Sequence, residues 1–170
     1  MLQKANLGVD PFTCFVTGIA NIFSSTYSTF YLILTGALLI LGVDLVKETG
    51  RLEAAYDDAA GVTAAFNRNL LKRINRELGG DFDLDAFAHR AVFNREASRI
   101  EMHLVAQSDQ TVRVGGDAFT FRQGETIHTE NSYKYTLDSF RALAGRAGWH
   151  SVQAWTDADA LFSVHVLRRD

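Results

Sequence analysis

The densest run of chemically versatile side chains in the sequence is Ile127–Tyr135, IHTENSYKY. On a strand, period two places His128, Glu130, Ser132 and Lys134 on one face and Ile127, Thr129, Asn131, Tyr133 and Tyr135 on the other. Such a polar face either meets water or lines a polar pocket. Upstream, Tyr56-Asp57-Asp58 closes a helical pattern, where a cap and a solvated acidic pair are the ordinary reading. Other chemistries lack their residues. The histidines His89, His103, His128, His150 and His165 have none of the close pairings that zinc needs, so each reads as a strand or surface histidine and no metal site is expected. No G-x-S-x-G elbow occurs, and Cys14 has no histidine near it in sequence. Neither G-x-G-x-x-G nor the phosphate-binding G-x-x-x-x-G-K-[ST] is present, and Gly115-Gly116 reads as a hairpin turn.

The elements that must position these residues follow from periodicity. Val46–Tyr56 reads as a loop entering a short helix with Thr49 at its N-cap. Thr63–Leu78 repeats Phe66, Leu70, Ile74 and Leu78 every four residues, predicting a helix whose stripe packs into a core and which Gly79-Gly80 ends. Arg99–Ala106 alternates so that Ile100, Met102 and Leu104 share a face, and Ser108-Asp109 turns it into Thr111–Val114 as a hairpin. Ala118–Phe121 and Thr126–Tyr135 add strands, giving a small antiparallel sheet over residues 89–135. Leu137–Ala147 reads as an amphipathic helix ended by Gly148, followed by strands Ser151–Trp155 and Leu161–Leu167 around a turn at residues 156–159.

Length and composition bound the whole. A chain of 170 residues, 47% of them apolar, can bury one ordinary core. A net charge of −3 gathers neither nucleic acid nor anionic lipid, leaving small molecules or proteins as partners. One cysteine fits a reducing, cytoplasmic setting. Pro11–Val43 carries no charged side chain. Its apolar end approaches the length of a membrane span, yet Leu38–Val43 before Asp44 also reads as a buried parallel strand, which is the preferred reading; a membrane is not expected.

Four strings then stand out in order and spacing: AAYDDAAGVTAAFNRNLLKRINRELGGDFDLDAF (residues 54–87), RIEMHL (99–104), GETIHTENSYKY (124–135) and LAGRAGW (143–149). Together they closely resemble the bacterial histidine-specific, S-adenosylmethionine-dependent methyltransferases of ergothioneine biosynthesis, over about residues 39–167. The resemblance implies methyl transfer from S-adenosylmethionine to the α-amino nitrogen of histidine, giving hercynine. It implies an α/β fold: the C-terminal part of a Rossmann-like class I methyltransferase sheet (residues 38–81 and 136–170) with an inserted antiparallel α+β substrate domain (82–135). By the same resemblance Tyr56 helps hold the substrate carboxylate, Glu130 and Ser132 bond the imidazole, and Met102 is a pocket wall. Asp44 falls at the C-terminal end of the sheet, where α/β folds bind ligands. No catalytic acid or base is expected, because an in-line displacement at a methyl carbon needs chiefly alignment and a neutral amine.

Residues 1–37 show neither the glycine-rich first turn nor the acidic ribose ligand of the family. The expectation is therefore an incomplete copy, with 1–37 derived from a shifted frame or a fusion, the cofactor site unassigned, and a separate chain supplying the missing N-terminal half. The alternatives are a non-catalytic small-molecule-binding or partner protein and a membrane-anchored fragment using residues 11–43.

Overall fold

The computed structural model describes residues 38–169, which fall into two compact units: residues 38–43 with 137–169, and residues 44–136. Expectations that concern residues 1–37 lie outside the described residues. The fold is a mixture of helices and antiparallel sheets. Among the described residues no helix is long and apolar enough to cross a membrane.

In the first unit, β1 (Leu38–Asp44), β7 (Trp149–Thr156) and β8 (Phe162–Arg169) form a sheet of order β1-β8-β7, with β7 and β8 antiparallel. The central strand β8 buries Ser163, His165 and Leu167. Phe140 of helix α3 (Leu137–Arg146) lies on His165, ring centroids 4.4 Å apart. Gly42 permits the close approach of β8: a Cβ there would stand 2.6 Å from the Phe162 ring. The apolar run before Asp44 is thus a strand, but not one buried on both faces, since Leu38 and Ile40 are each 49% exposed. Among the described residues, α3 is the helix that packs on this sheet, and one helix covers one face.

In the second unit, helices α1 (Thr49–Tyr56) and α2 (Val62–Leu78) pack on a sheet of order β2-β3-β6, made by β2 (Phe87–Asn94), β3 (Arg99–Ala106) and β6 (Thr126–Tyr133). A separate ribbon pairs β4 (Gln110–Val114) with β5 (Asp117–Phe121). Thr111–Val114 therefore pairs across Gly115-Gly116 rather than back onto β3. The ribbon is tied down by a Phe82–Phe87–Phe121 cluster, with centroids 5.4–6.3 Å apart. On β3, Ile100, Met102 and Leu104 are all buried, as the alternation requires.

Two helical expectations shift by one residue. The cap of α1 is Glu48 rather than Thr49, because its carboxylate accepts from the amides of Gly50 and Arg51, both at 2.9 Å. On α2 the buried positions are Asn67 and Leu71, whereas Phe66, Leu70 and Leu78 are exposed. A strict repeat of four drifts about 40° per step around a helix of about 3.6 residues per turn, so the four residues cannot share one core-facing line. Asp58 caps α2 from the preceding loop, accepting from the amides of Thr63 (2.8 Å) and Val62 (3.0 Å). The Thr63 bond foremost holds its carboxyl down at about 2.

The β2–β3 turn is tied by Glu101, which accepts from Arg99 and Asn94. The Arg99 bond first, then the Asn94 bond, lowers its pKa from 4.5 to about 2. A lowered carboxyl contributes stability that is complete above its unfolded value and is lost as the pH falls toward the folded one. Melting temperature should therefore drop more steeply between about pH 5 and about pH 2 in the wild type than in Glu101→Gln. Equal slopes would remove Glu101 from the acid response.

Candidate functional site

The site grows from the C-terminal end of α1. Leu52 and Tyr56 pack on Ala91, Phe93, Ile100 and Met102 of β2 and β3. The backbone carbonyl of Tyr56 lies 2.7 Å from His89 Nε2, and Asn67 Nδ2 lies 2.9 Å from His89 Nδ1. The carbonyl can only accept, so His89 carries its proton on Nε2 and Nδ1 accepts from Asn67. Asn67 also donates to the carbonyl of His103 at 3.2 Å, which fixes the amide's orientation. A half-buried polar chain thus runs from the buried Asn67 of α2 through His89 to the residue that ends α1.

Strand β6 delivers the opposite wall. Its register against β3 shifts between Met102 and His103: Glu130 stands opposite Met102, but His128 stands opposite His103. Thr129 is the extra residue, and its hydroxyl donates to the Met102 carbonyl at 2.9 Å. The bulge corrects the simple alternation. Glu130 and Ser132 share the face of Ile100 and Met102, whereas His128 crosses to the other face and stacks on His103 at 4.6 Å.

Of the residues singled out in the sequence, Tyr56, Met102 and Glu130 line one open cavity of about 290 Å³ together with Val62, Thr63 and Phe66. Ser132 joins them through a 2.7 Å hydrogen bond to the Tyr56 phenol. Phe66 and Leu70, displaced from the core, line this cavity and its neighbour beside Glu130. The Glu130 carboxylate is exposed and has no side-chain partner among the described residues.

Periodicity gives no hint that Lys134 is buried. It is 2% exposed, and its ammonium lies 2.8 Å from the Tyr56 phenol oxygen, 2.9 Å from Ser132 Oγ and 2.8 Å from Asp44 Oδ2. Asp44 is brought there by a parallel bridge between Leu45 and Tyr135, in which the Tyr135 amide donates to the Asp44 carbonyl. Burial opposes the Asp44 charge, but hydrogen bonds from Lys134 and Lys47 outweigh it and hold the carboxyl below its ordinary range. The available signal is the Lys at i+2 from Ser132, on the same strand face.

On the opposite face of the sheet, Glu101, His103 and His128 bring donor atoms within 4.8 Å of one another. Burial pushes the pKa of the His103 imidazole down. Arg99 already neutralises Glu101, at 2.7 Å, so the cluster reads as a structural ion pair rather than a metal centre. Strand pairing assembles it, so no close histidine spacing announces it.

A family model described as histidine-specific, S-adenosylmethionine-dependent methyltransferase matches residues 19–169. The chain belongs to this family. The match begins inside the segment that the sequence reading set apart. Among curated relatives, the histidine N-alpha-methyltransferase of Mycobacterium tuberculosis is 45% identical over 166 residues, 96% of this chain and 49% of its own length. That of Mycolicibacterium smegmatis is 49% identical over 136 residues, 79% of this chain and 42% of the relative. Ergothioneine biosynthesis protein 1 of Schizosaccharomyces pombe is 24% identical over 132 residues, 77% of this chain and 17% of that protein. The chain thus spans about half the length, or less, of the family members it matches.

The chain through Asn67 generates a stability prediction. Asn67→Leu keeps the volume but leaves His89 Nδ1 and the His103 carbonyl without their donor, which should cost about 1–3 kcal/mol in urea unfolding. A change within error would show that water replaces the amide freely.

Proposed function

We propose that this chain provides the histidine-recognising part of a histidine Nα-methyltransferase of ergothioneine biosynthesis, acting in a reducing, cytoplasmic setting. The observation that carries the reading is the convergence of Tyr56, Met102 and Glu130 on one cavity, with Ser132 bonded to the Tyr56 phenol. In this reading Glu130, an unpaired carboxylate, accepts the imidazole N–H, and the Ser132 hydroxyl meets the other ring nitrogen. The Met102 thioether provides an apolar wall for the ring, and Tyr56 faces the carboxylate end. No side chain needs to act as acid or base, since alignment of a neutral amine is the chain's contribution.

The sheet β1-β8-β7 with α3 is read as the C-terminal part of a Rossmann-like class I core, and residues 82–135 as most of an inserted substrate domain. S-adenosylmethionine, the donor that the family description names, would bring an electrophilic methyl group. Asp44, the acid at the end of β1, has one carboxylate oxygen on Lys47 and the other on Lys134, which ties it to the buried ammonium. The site for the donor is therefore assigned to no described residue, and a separate chain completing the enzyme belongs to the same proposal.

Calorimetric titration of the full chain with histidine, histidinol and phenylalanine tests the reading. Histidine should bind most tightly. Glu130→Ala should weaken it by about 10- to 100-fold, the loss of a charge-assisted hydrogen bond of about 1.5–3 kcal/mol. Equal affinity for histidine and phenylalanine, or no heat with histidine, would overturn it.

A further inference from the structure

We propose that Lys134 is a positioning residue that makes the hydroxyls of Tyr56 and Ser132 one coupled donor rather than two independent ones. The ligand in this proposal rests on the histidine-binding reading above; the coupling itself does not.

The argument is a count of protons. An ammonium has three protons and no lone pair. Lys134 Nζ has three oxygen partners, Tyr56 Oη, Ser132 Oγ and Asp44 Oδ2, each within 2.9 Å, and burial keeps water from substituting for them. Both hydroxyl oxygens therefore accept from the lysine. They also lie 2.7 Å from each other, a separation that requires a proton between them. Tyr56 and Ser132 own two hydroxyl protons. One is spent between them, and one is left to point away.

Two arrangements satisfy this count. In the first, Tyr56 donates to Ser132, whose oxygen then accepts twice, and Ser132 donates outward. Tyr56 keeps a lone pair but has no proton to offer. In the second, Ser132 donates to Tyr56, Tyr56 donates outward, and Ser132 can only accept. The pair thus offers one outward donor and one outward acceptor, and changing one hydroxyl changes the other. Glu130, when ionised, can only accept. The first arrangement therefore suits a neutral imidazole, with its N–H on Glu130 and its bare nitrogen on Ser132. The second lets Tyr56 donate to a carboxylate but asks for a ring with two N–H groups. A bound histidine cannot receive donors from both hydroxyls while Lys134 holds them.

The test uses the full chain and keeps Lys134, so the buried charge is never orphaned. First, the side-chain ammonium resonance of ¹⁵N-labelled Lys134 is recorded without ligand in the wild type, Tyr56→Phe, Ser132→Ala and the double variant. Each substitution should shift it; a resonance indifferent to either change would overturn the shared contact. Second, histidine affinity is measured for the same set. Each single variant frees the remaining hydroxyl's proton to point outward and should lose less than about 10-fold, whereas the double variant alone has no outward donor and should lose more than the product of the two single losses. A double loss equal to the product of the single losses would show two independent donors and overturn the coupling. Absence of histidine binding in the wild type would refute the functional reading instead, and the ammonium resonance would still decide whether the hydroxyls are linked.

Discussion

The site depends on the neutralisation of a single buried positive charge. An ammonium removed from water is stable only with an opposite charge and oxygen acceptors around it. For Lys134 those come from three places in the sequence: Asp44 at the end of β1, Tyr56 at the end of α1, and Ser132 on β6. The four residues must arrive together or not at all. That requirement explains the parallel bridge between Leu45 and Tyr135, which would otherwise be an isolated contact outside the sheets. It also explains why the α1 terminus is anchored twice, by packing of Leu52 and Tyr56 and by the bond from His89 to the Tyr56 carbonyl.

The central sheet is polar on both sides for different reasons. The helix-covered face holds Glu130 and Ser132 beside buried apolar residues, so its polar groups edge a cavity. The other face holds Arg99, Glu101, His103, His128 and Tyr133, joined by the Arg99–Glu101 ion pair, His103–His128 stacking and the Arg99 guanidinium over the Tyr133 ring, with His103 Nδ1 buried and unpartnered. Polar sequence alone does not separate the two. What separates them is charge: Glu101 is neutralised by Arg99 at 2.7 Å, whereas the Glu130 carboxylate is left open.

Strand β3 was legible because its alternation is unbroken and its buried face is wholly apolar. The placement of Glu130 and Ser132 on one face was legible for the same reason, as residues two apart point the same way. Other features escaped because they depend on partners distant in sequence. A glutamate reaching forward displaced Thr49 as a cap. The drift of a four-residue repeat hid the fact that Asn67, a polar residue, occupies the buried line of α2. Lysine in a strand ordinarily reads as solvated, and the acid that allows Lys134 to be buried lies ninety residues earlier in the chain. The one-residue shift at Thr129 leaves no trace in composition.

That extra residue has a consequence for how the strand can change over time. Because the partners of His128 and Glu130, His103 and Met102, are adjacent on β3, Thr129 is a residue the ladder does not need in order to keep its two faces apart. Exchanging Thr129 costs at most a hydroxyl bond to a carbonyl. Deleting it would restore an unbulged ladder with Glu130 still opposite Met102 and His128 still opposite His103, whereas a residue inserted elsewhere in the strand would turn the part beyond it over. Descendants of this gene should therefore tolerate exchange or loss of residue 129 while rejecting length changes elsewhere in β6.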